Sequence, residues 1–175
     1  MILMHKENMM NTVNFNQLLC KNVSGEAENL SGIFDTLVCE KGINTVFLCI
    51  FASQILNDAA SNYDKYYYRI VLRQFGDPRK SYRVDSGLFW NNTNNKNSTD
   101  GAEQHTRHRS TRAGTTEKLI IEYGHNFEIP GQHEIDLYVK KIDENVTKDN
   151  CDSLTVKELD LVSIYPFNVI FPNCE

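Results

Sequence analysis

Histidine and carboxylate side chains bracket a Pro-Gly turn in the C-terminal half of the chain. His125 and Glu128 precede the turn and His133 follows it, so a bend would bring the two imidazoles towards each other. Imidazole and carboxylate are ligands of catalytic zinc, and a histidine close to a nucleophile acts as a general base. One hypothesis is therefore a small metal-dependent or hydrolytic enzyme centred on His125 and His133. The competing interpretation is a core histidine, because His133 falls on the apolar face of an alternating segment.

Other catalytic and metal-binding patterns are weak or missing from the sequence. His105 and His108 are spaced i, i+3, but no cysteine or third histidine is nearby, and structural zinc takes four ligands. The five cysteines include no C-x-x-C pair, and hydrolase, dinucleotide and P-loop signatures do not occur. We therefore expect no catalytic residue, no metal and no cofactor. The cysteines are expected to be buried, reduced thiols.

The second hypothesis is a binding surface on the alternating segment Tyr66–Phe75. Tyr67, Arg69 and Arg73 are predicted to point outwards from a half-exposed strand. Tyrosine and arginine are enriched at interface hot spots, although aromatic packing within a sheet gives the same pattern. A polar segment downstream adds three arginines to this possible interface: Arg107, Arg109 and Arg112.

The charge and hydropathy of the chain argue against nucleic-acid and membrane partners. Lys and Arg number 18 against 23 Asp and Glu, which gives a net charge of −5 and no basic stripe. The longest apolar run, Val46–Ala52, is far shorter than the ~20 residues that span a bilayer. The N-terminus lacks the apolar core of a secretory signal. We expect a cytoplasmic chain whose partner is an unknown protein or small ligand, and the oligomeric state stays open.

These side chains would be positioned by strands, because the dominant hydrophobic period is two. The segment Ile43–Ala52, which is apolar throughout after Thr45, predicts a strand that is buried on both faces. Phe127–Val139 predicts an amphipathic strand after the Pro130-Gly131 turn, and Leu159–Phe171 predicts a last strand. Pro166 within that last strand indicates a sheet edge or a bulge.

The pattern as a whole predicts an all-β fold, a single antiparallel β-sandwich of seven to nine strands. Residues 1–12 are expected to form an N-terminal tail and residues 13–175 one domain. Residues 91–116 contain no Val, Ile, Leu, Phe, Tyr, Trp or Met, so we expect a flexible polar insertion there. A polar excursion over Asp143–Ser153 separates the last two strands.

Two parts of the chain resemble a widespread bacterial family that is known only as a domain of unknown function. In that family a strand ending in Leu-Leu-Cys is followed by a strand that carries Gly-Ile-Phe-Asp, and a Phe-x-x-Pro-Gly turn comes later. The matching positions here are Leu18–Cys20, Gly32–Asp35, Phe127, Pro130, Gly131, Pro166, Phe167 and Val169. The chain departs from the pattern at His133, where the family usually has tyrosine, and in its polar insertion.

The resemblance implies a compact immunoglobulin-like β-sandwich with no assigned catalytic residue. The function that we favour from the sequence is therefore a non-catalytic cytoplasmic binding or adaptor module. The enzyme centred on His125 and His133 is the alternative. A further alternative, an accessory factor of a phage or mobile element, is suggested by the small size of the chain.

Overall fold

The structure, a computed structural model, describes residues 11–24, 29–40, 42–56, 63–76, 79–91, 107–111 and 114–172, with the backbone course alone at 29, 107–111 and 114. The strands are β1 (Thr12–Ser24), β2 (Asn29–Ile33), β3 (Thr36–Val38), β4 (Asn44–Ile55), β5 (Lys65–Gln74), β6 (Lys80–Phe89), β7 (Arg107–Thr111), β8 (Gly114–His125), β9 (Gly131–Ile142) and β10 (Asp160–Ile170). A short helix, α1 (Lys148–Asp152), and a 3₁₀ turn (Val156–Glu158) lie between β9 and β10.

The first sheet has the strand order β2-β1-β4-β8-β7. Its central strand, β4, pairs antiparallel with β1 on one side and with β8 on the other. Leu48 and Ile50 face the core, whereas Cys49 between them packs against Cys20 and Ile120 on the outer side. The prediction of a strand buried on both faces is therefore confirmed.

The second sheet has the strand order β3-β10-β9-β5-β6. β9 pairs antiparallel with β10 and β5, whereas the short β3 runs parallel to the end of β10. The chain changes sheets at Phe34 and Asp35, which connect β2 in the first sheet to β3 in the second. The second sheet is therefore mixed, and the prediction of a purely antiparallel sandwich is wrong at this margin.

One hydrophobic core lies between the two sheets. Leu19 and Leu48 from the first sheet and Ile70 and Leu137 from the second are fully buried in it. Each such side chain removed from water contributes about 1.5–3 kcal/mol to folding. Gln17 also lies between the sheets, where its Nε2 donates a hydrogen bond of 2.8 Å to a backbone carbonyl of β9.

The all-β architecture of two stacked sheets is confirmed, but the described residues form ten strands rather than seven to nine. One reason is that the single predicted strand over Leu30–Cys39 is divided between two sheets. The second reason is that Arg107–Thr111, predicted to be flexible, pairs antiparallel with the start of β8. Backbone pairing orders this segment without the apolar burial on which the prediction depended.

Most of the predicted N-terminal tail and of the predicted polar insertion lies outside the described residues. β1 begins at Thr12, one residue before the predicted domain boundary. Residues 1–10 of the predicted tail, and residues 92–106 and 112–113 of the predicted insertion, lie outside the described residues. The insertion prediction is wrong for 114–116, which belong to β8.

Candidate functional site

The outer face of β5 carries the side chains that were expected to form an exposed interface. Tyr67 is fully buried and Arg69 is only 7% exposed, so the prediction that both point into solvent is wrong. Of the three predicted residues, Arg73 alone keeps a partly exposed side chain. Alternation does place all three on the outer face of the sheet. The segment that contains α1 and the 3₁₀ turn, residues 148–159, lies over Tyr67 and Arg69.

Arg69 and Asp152 attach this segment to the sheet. A guanidinium nitrogen of Arg69 donates to the backbone carbonyls of Cys151 and Asp152 at 3.2 and 3.0 Å. These carbonyls lie at the C-terminal end of α1, where helical partners are missing, so the guanidinium acts as a C-terminal cap. The Tyr67 hydroxyl donates to the Asp152 carboxylate at 3.0 Å. The network therefore satisfies the polar groups that the segment buries.

The same segment also reaches β6, the strand at one edge of the second sheet. Ser86 donates to the Asp152 carboxylate at 3.0 Å, and Arg83 forms an ion pair with it. Burial raises the pKa of Asp152, but the hydrogen bonds from Tyr67 and Ser86 and the charge of Arg83 outweigh burial and lower that pKa below its ordinary value. We call the outer face of β5 and β6 the covered half of the sheet.

Edge strand β6 has features that discourage pairing with another chain. Its register with β5 shifts between Ile70 and Val71, which marks a bulge, and it carries Lys80, Arg83 and Asp85. Charges and bulges are the devices by which natural sheets protect an edge. β10 carries devices of the same kind, a register shift between Leu161 and Ser163 and Pro166, so the bulge alone does not distinguish the two edges.

The outer face of β10, which we call the open half, has a different composition. Leu161, Val162 and Ile164 of β10 are exposed, and Ile164 is 50% exposed. Among the described residues, β3 pairs with β10 only at Asn168–Ile170. Within the same described part of the chain, the stretch Asp160–Phe167 of β10, which we call the open edge, is therefore paired on one side only, with β9.

Backbone geometry fixes which groups the open edge presents. Asn168 donates its N–H to the carbonyl of Asp35 at 2.8 Å, and the carbonyl of Ile170 accepts from Cys39 at 2.9 Å. Residues two apart on a strand direct their backbone groups to the same side. The N–H and C=O of Ile164 therefore point away from β9, as does the carbonyl of Pro166. Pro166 has no N–H to present, which suits an edge position, as the sequence predicted.

Acidic groups on β9 lie beside the open edge. Glu134 and Asp136 are the register partners of Pro166 and Ile164. Arg73 forms ion pairs with both carboxylates, and Tyr138 donates to Oδ2 of Asp136 at 3.0 Å. Asp136 is only 2% exposed, and its Oδ1 has no hydrogen-bond partner among the described residues. A buried acceptor left unsatisfied costs about 1–3 kcal/mol.

The three arginines of the polar segment do not join this region. Arg107 and Arg109 lie on β7, at the far edge of the first sheet, and only their backbone course is described. Arg112 lies outside the described residues, as does His105, and His108 is described only by its backbone in β7. The five described residues of the possible interface are therefore divided between the two sheets.

His125 and His133 come together at one end of the core, as the Pro-Gly turn predicted, but Phe127 lies between them. Its ring centroid is 4.8 Å from that of His125 and 5.4 Å from that of His133. Burial lowers the pKa of His125, and the charge of His133 lowers it further; burial also lowers the pKa of His133. Glu128 instead forms an ion pair with Lys80.

The histidine cluster does not assemble the ligands that the enzyme hypothesis needs. The Nδ1 of His133 donates to the Gly131 carbonyl at 2.9 Å, and His125 Nδ1 is 3.1 Å from the Tyr123 hydroxyl. Within the part of the chain that the structure describes, no group of three His, Cys, Asp or Glu side chains is placed to hold a metal ion. The positive φ of Gly131 confirms the predicted turn.

A buried carboxyl group at the opposite end of β8 was missed by the sequence reasoning. Glu117 is buried on the core side of the strand and accepts a hydrogen bond of 2.9 Å from the Trp90 backbone N–H. Burial raises the pKa of Glu117 to about 7, against the opposing effect of that hydrogen bond. Trp90 has φ = 54°, a left-handed conformation that costs energy in a bulky residue. The available signal was that Glu117 is in phase with Leu119 and Ile121.

The cysteines within the described residues are free and buried, as predicted. Cys20 and Cys49 bring their sulfur atoms to 3.8 Å on the outer side of the first sheet. Burial raises the pKa of Cys49 to about 12, so its thiol is a poor nucleophile at neutral pH. Cys174 lies outside the described residues.

No family model matches the chain, and no curated protein sequence matches it. The described residues also contain no helix with the length and apolar character needed to cross a lipid bilayer.

Proposed function

We propose that this chain is a non-catalytic binding module that docks an extended segment of a protein partner along the open edge of β10. The observation that carries the proposal is the combination, in one stretch, of outward-directed backbone groups and exposed Ile164. An extended peptide that adds to a sheet gains main-chain hydrogen bonds, and alternate side chains contribute specificity.

The dimensions of the open edge suit such a segment. Strands rise about 3.3 Å per residue, and strands of five or six residues are the commonest length, so the five residues Ser163–Phe167 that follow the register shift accommodate one short added strand. The partner would lie in line with β3, which already occupies the same side of β10 at Asn168–Ile170. It would thus extend an existing strand position in the sheet.

The strand order supports the immunoglobulin-like arrangement that the sequence resemblance implies. The chain forms an edge of the first sheet with β2, crosses over, and runs parallel to the last strand with β3. The strands β4, β8 and β7 then correspond to one sheet of such a domain, and β10, β9, β5 and β6 to the other. Membership of the bacterial family and a cytoplasmic location remain parts of this proposal.

The test compares two lysine substitutions on the same strand. Ile164→Lys places a charge on the open edge, whereas Ile170→Lys changes an isoleucine that is 45% exposed where β3 already pairs. Tagged wild type and both variants are incubated with lysate of the native host, and the co-purified proteins are quantified by mass spectrometry. We expect one protein at near-equal amount with wild type and Ile170→Lys, reduced about tenfold with Ile164→Lys.

A partner retained equally by all three proteins would refute docking at the open edge. Recovery of the chain alone, without any enriched protein, would refute a protein-binding function. Circular dichroism of the variants separates either result from a loss of fold.

A further inference from the structure

We infer that the segment which adds to the open edge is basic, and that its Lys or Arg side chains reach Asp136 and Glu134 across Ile164. This inference rests on the proposed function and names the chemistry of the partner. It is drawn from the register of β9 and β10, from one buried carboxylate oxygen and from the charges at the ends of the open edge.

The register brings the acidic pair within reach of an added strand. Asp136 and Glu134 lie on β9 directly opposite Ile164 and Pro166. A strand added to β10 would lie two strand spacings from β9, about 10 Å. A long basic side chain on the outer face of that strand would extend across β10, with its aliphatic part on Ile164 and its charged group towards the carboxylates.

Asp136 provides the observation that calls for a donor. Its Oδ2 accepts from Arg73 and Tyr138, but its buried Oδ1 has no hydrogen-bond partner among the described residues. In the ion pairs of the described residues, Arg73 is the cation for both Glu134 and Asp136. A guanidinium or ammonium group from a partner would add a second positive charge beside this acidic pair and would contact Glu134, the more accessible of the two carboxylates.

The ends of the open edge are acidic as well. Asp160 begins β10, and Asp35 lies beside Asn168 where β3 begins; both are exposed. If two copies of this chain paired antiparallel about Ile164, Asp160 of one copy would lie opposite Asn168 of the other and so close to its Asp35. Like charges this close are destabilising. The same carboxylates therefore favour a basic partner over a second copy.

The probes are three nine-residue peptides of one design. RTVTRTVTR has arginine and valine on one face of the strand, and QTVTQTVTQ and ETVTETVTE replace the arginines with neutral or acidic residues. Each is labelled, and its binding to the full chain is measured by fluorescence anisotropy. We expect the arginine peptide to bind about tenfold or more tightly than the glutamine peptide, and the glutamate peptide to bind most weakly.

Variants of the chain locate the effect. Together, Glu134→Gln and Asp136→Asn should reduce the ratio of the arginine-peptide affinity to the glutamine-peptide affinity by about tenfold. Glu122→Gln on the first sheet should leave this ratio unchanged. Glu134 is more accessible than Asp136, so it keeps the test decisive if Asp136→Asn fails to fold.

Ile164→Pro separates this inference from the proposed function. The proline removes an N–H that points away from β9, so the pairing of β9 with β10 is retained. Equal binding of all three peptides, abolished by Ile164→Pro, would overturn the basic partner and leave strand addition standing. Failure of the arginine peptide to bind also overturns the inference, and capture from lysate that is insensitive to Ile164→Lys would overturn the proposed function with it. A dimer of the chain alone that Ile164→Pro dissociates would make a second copy the occupant.

Discussion

The covered and open halves of the second sheet differ in how their outer groups are satisfied. On β5 and β6 the chain supplies its own partner, because residues 148–159 bury Tyr67 and receive the hydrogen bonds of Arg69. On β10 the described residues supply no such cover, so Ile164 is exposed, and one oxygen of the buried Asp136 on β9 has no hydrogen-bond partner among them. The same alternating pattern therefore forms either a packed surface or an exposed edge, depending on what the chain places over it.

The largest expected effect on stability comes from detaching residues 148–159, the segment that covers Tyr67 and Arg69, from the sheet. Arg69→Ala should lower the free energy of unfolding by roughly 3–5 kcal/mol, because the backbone carbonyls of Cys151, Asp152 and Leu154 lose a charged donor, at about 1–3 kcal/mol each. Urea unfolding followed by circular dichroism measures the change. Lys157→Ala, in the same segment but exposed, should stay within about 0.5 kcal/mol of wild type. An equal, small effect of both substitutions would contradict the distinction between the halves.

Glu117 is buried in the core and belongs to neither half of the second sheet. Because the pKa of Glu117 is raised to about 7 in the folded chain, the folded state binds the proton more tightly than the unfolded state. Its contribution to stability is present below the unfolded pKa and is lost as the pH rises through about 7, on the order of 3 kcal/mol.

Glu117→Gln should therefore reduce the change in the free energy of unfolding between pH 5 and 8. The side-chain oxygen of the glutamine can still accept the hydrogen bond from the Trp90 N–H. Thermal unfolding across this range is the measurement. Partner capture should equal that of wild type, because the open edge is unchanged. If the stability of the variant still changes with pH as that of wild type does, a group other than Glu117 controls this pH dependence.

Acidification should destabilise the end of the core that contains His125 and His133 before it weakens the covered half of the sheet. Burial lowers the folded pKa of His125 and His133, so their contribution is complete above the unfolded value of about 6.5 and declines as the pH falls below it. The folded pKa of Asp152 is also lowered, so the cover should persist until the pH falls below the ordinary range of aspartate. Hydrogen exchange at pH 5 should show destabilisation that His133→Phe relieves, with the amide of Leu154 still protected by its bond to Cys151.

The smallest expected effect on stability is at the open edge itself. Ile164→Lys should change the free energy of unfolding by less than about 0.5 kcal/mol, because the side chain is already half exposed. Ile170→Lys is the matched control and should behave alike in denaturant unfolding. A loss of several kcal/mol from Ile164→Lys alone would mean that the residue serves the fold rather than a partner.

The strands and their inward faces follow from local pattern, so the sequence predicted them well. Alternation assigned Tyr67 and Arg69 to an outer face, and Pro166 correctly indicated an edge. The cover was missed because residues 148–159 are largely polar, and their placement depends on tertiary hydrogen bonds that leave no periodic signal. Cys151, Leu154 and Leu159 were the available indications that this segment packs on something.

The open edge was missed for a related reason. A single sequence shows that Leu159–Phe171 is a strand, but the length over which a neighbour pairs with it depends on β3, which is far away in the chain and only three residues long. The histidine site was anticipated as a place where two imidazoles meet. The aromatic ring of Phe127 between them, which makes them core groups, is a result of packing.

The backbone amide of Ile164 tests the central claim most directly. Hydrogen exchange of the full chain is measured at single-residue resolution with and without saturating RTVTRTVTR peptide, and the amide of Asn168, already bonded to Asp35, serves as the internal reference. Strand addition predicts fast exchange at Ile164 in the free chain and strong slowing in the complex, with little change at Asn168. An Ile164 amide that exchanges equally fast when the peptide is bound would contradict docking at the open edge.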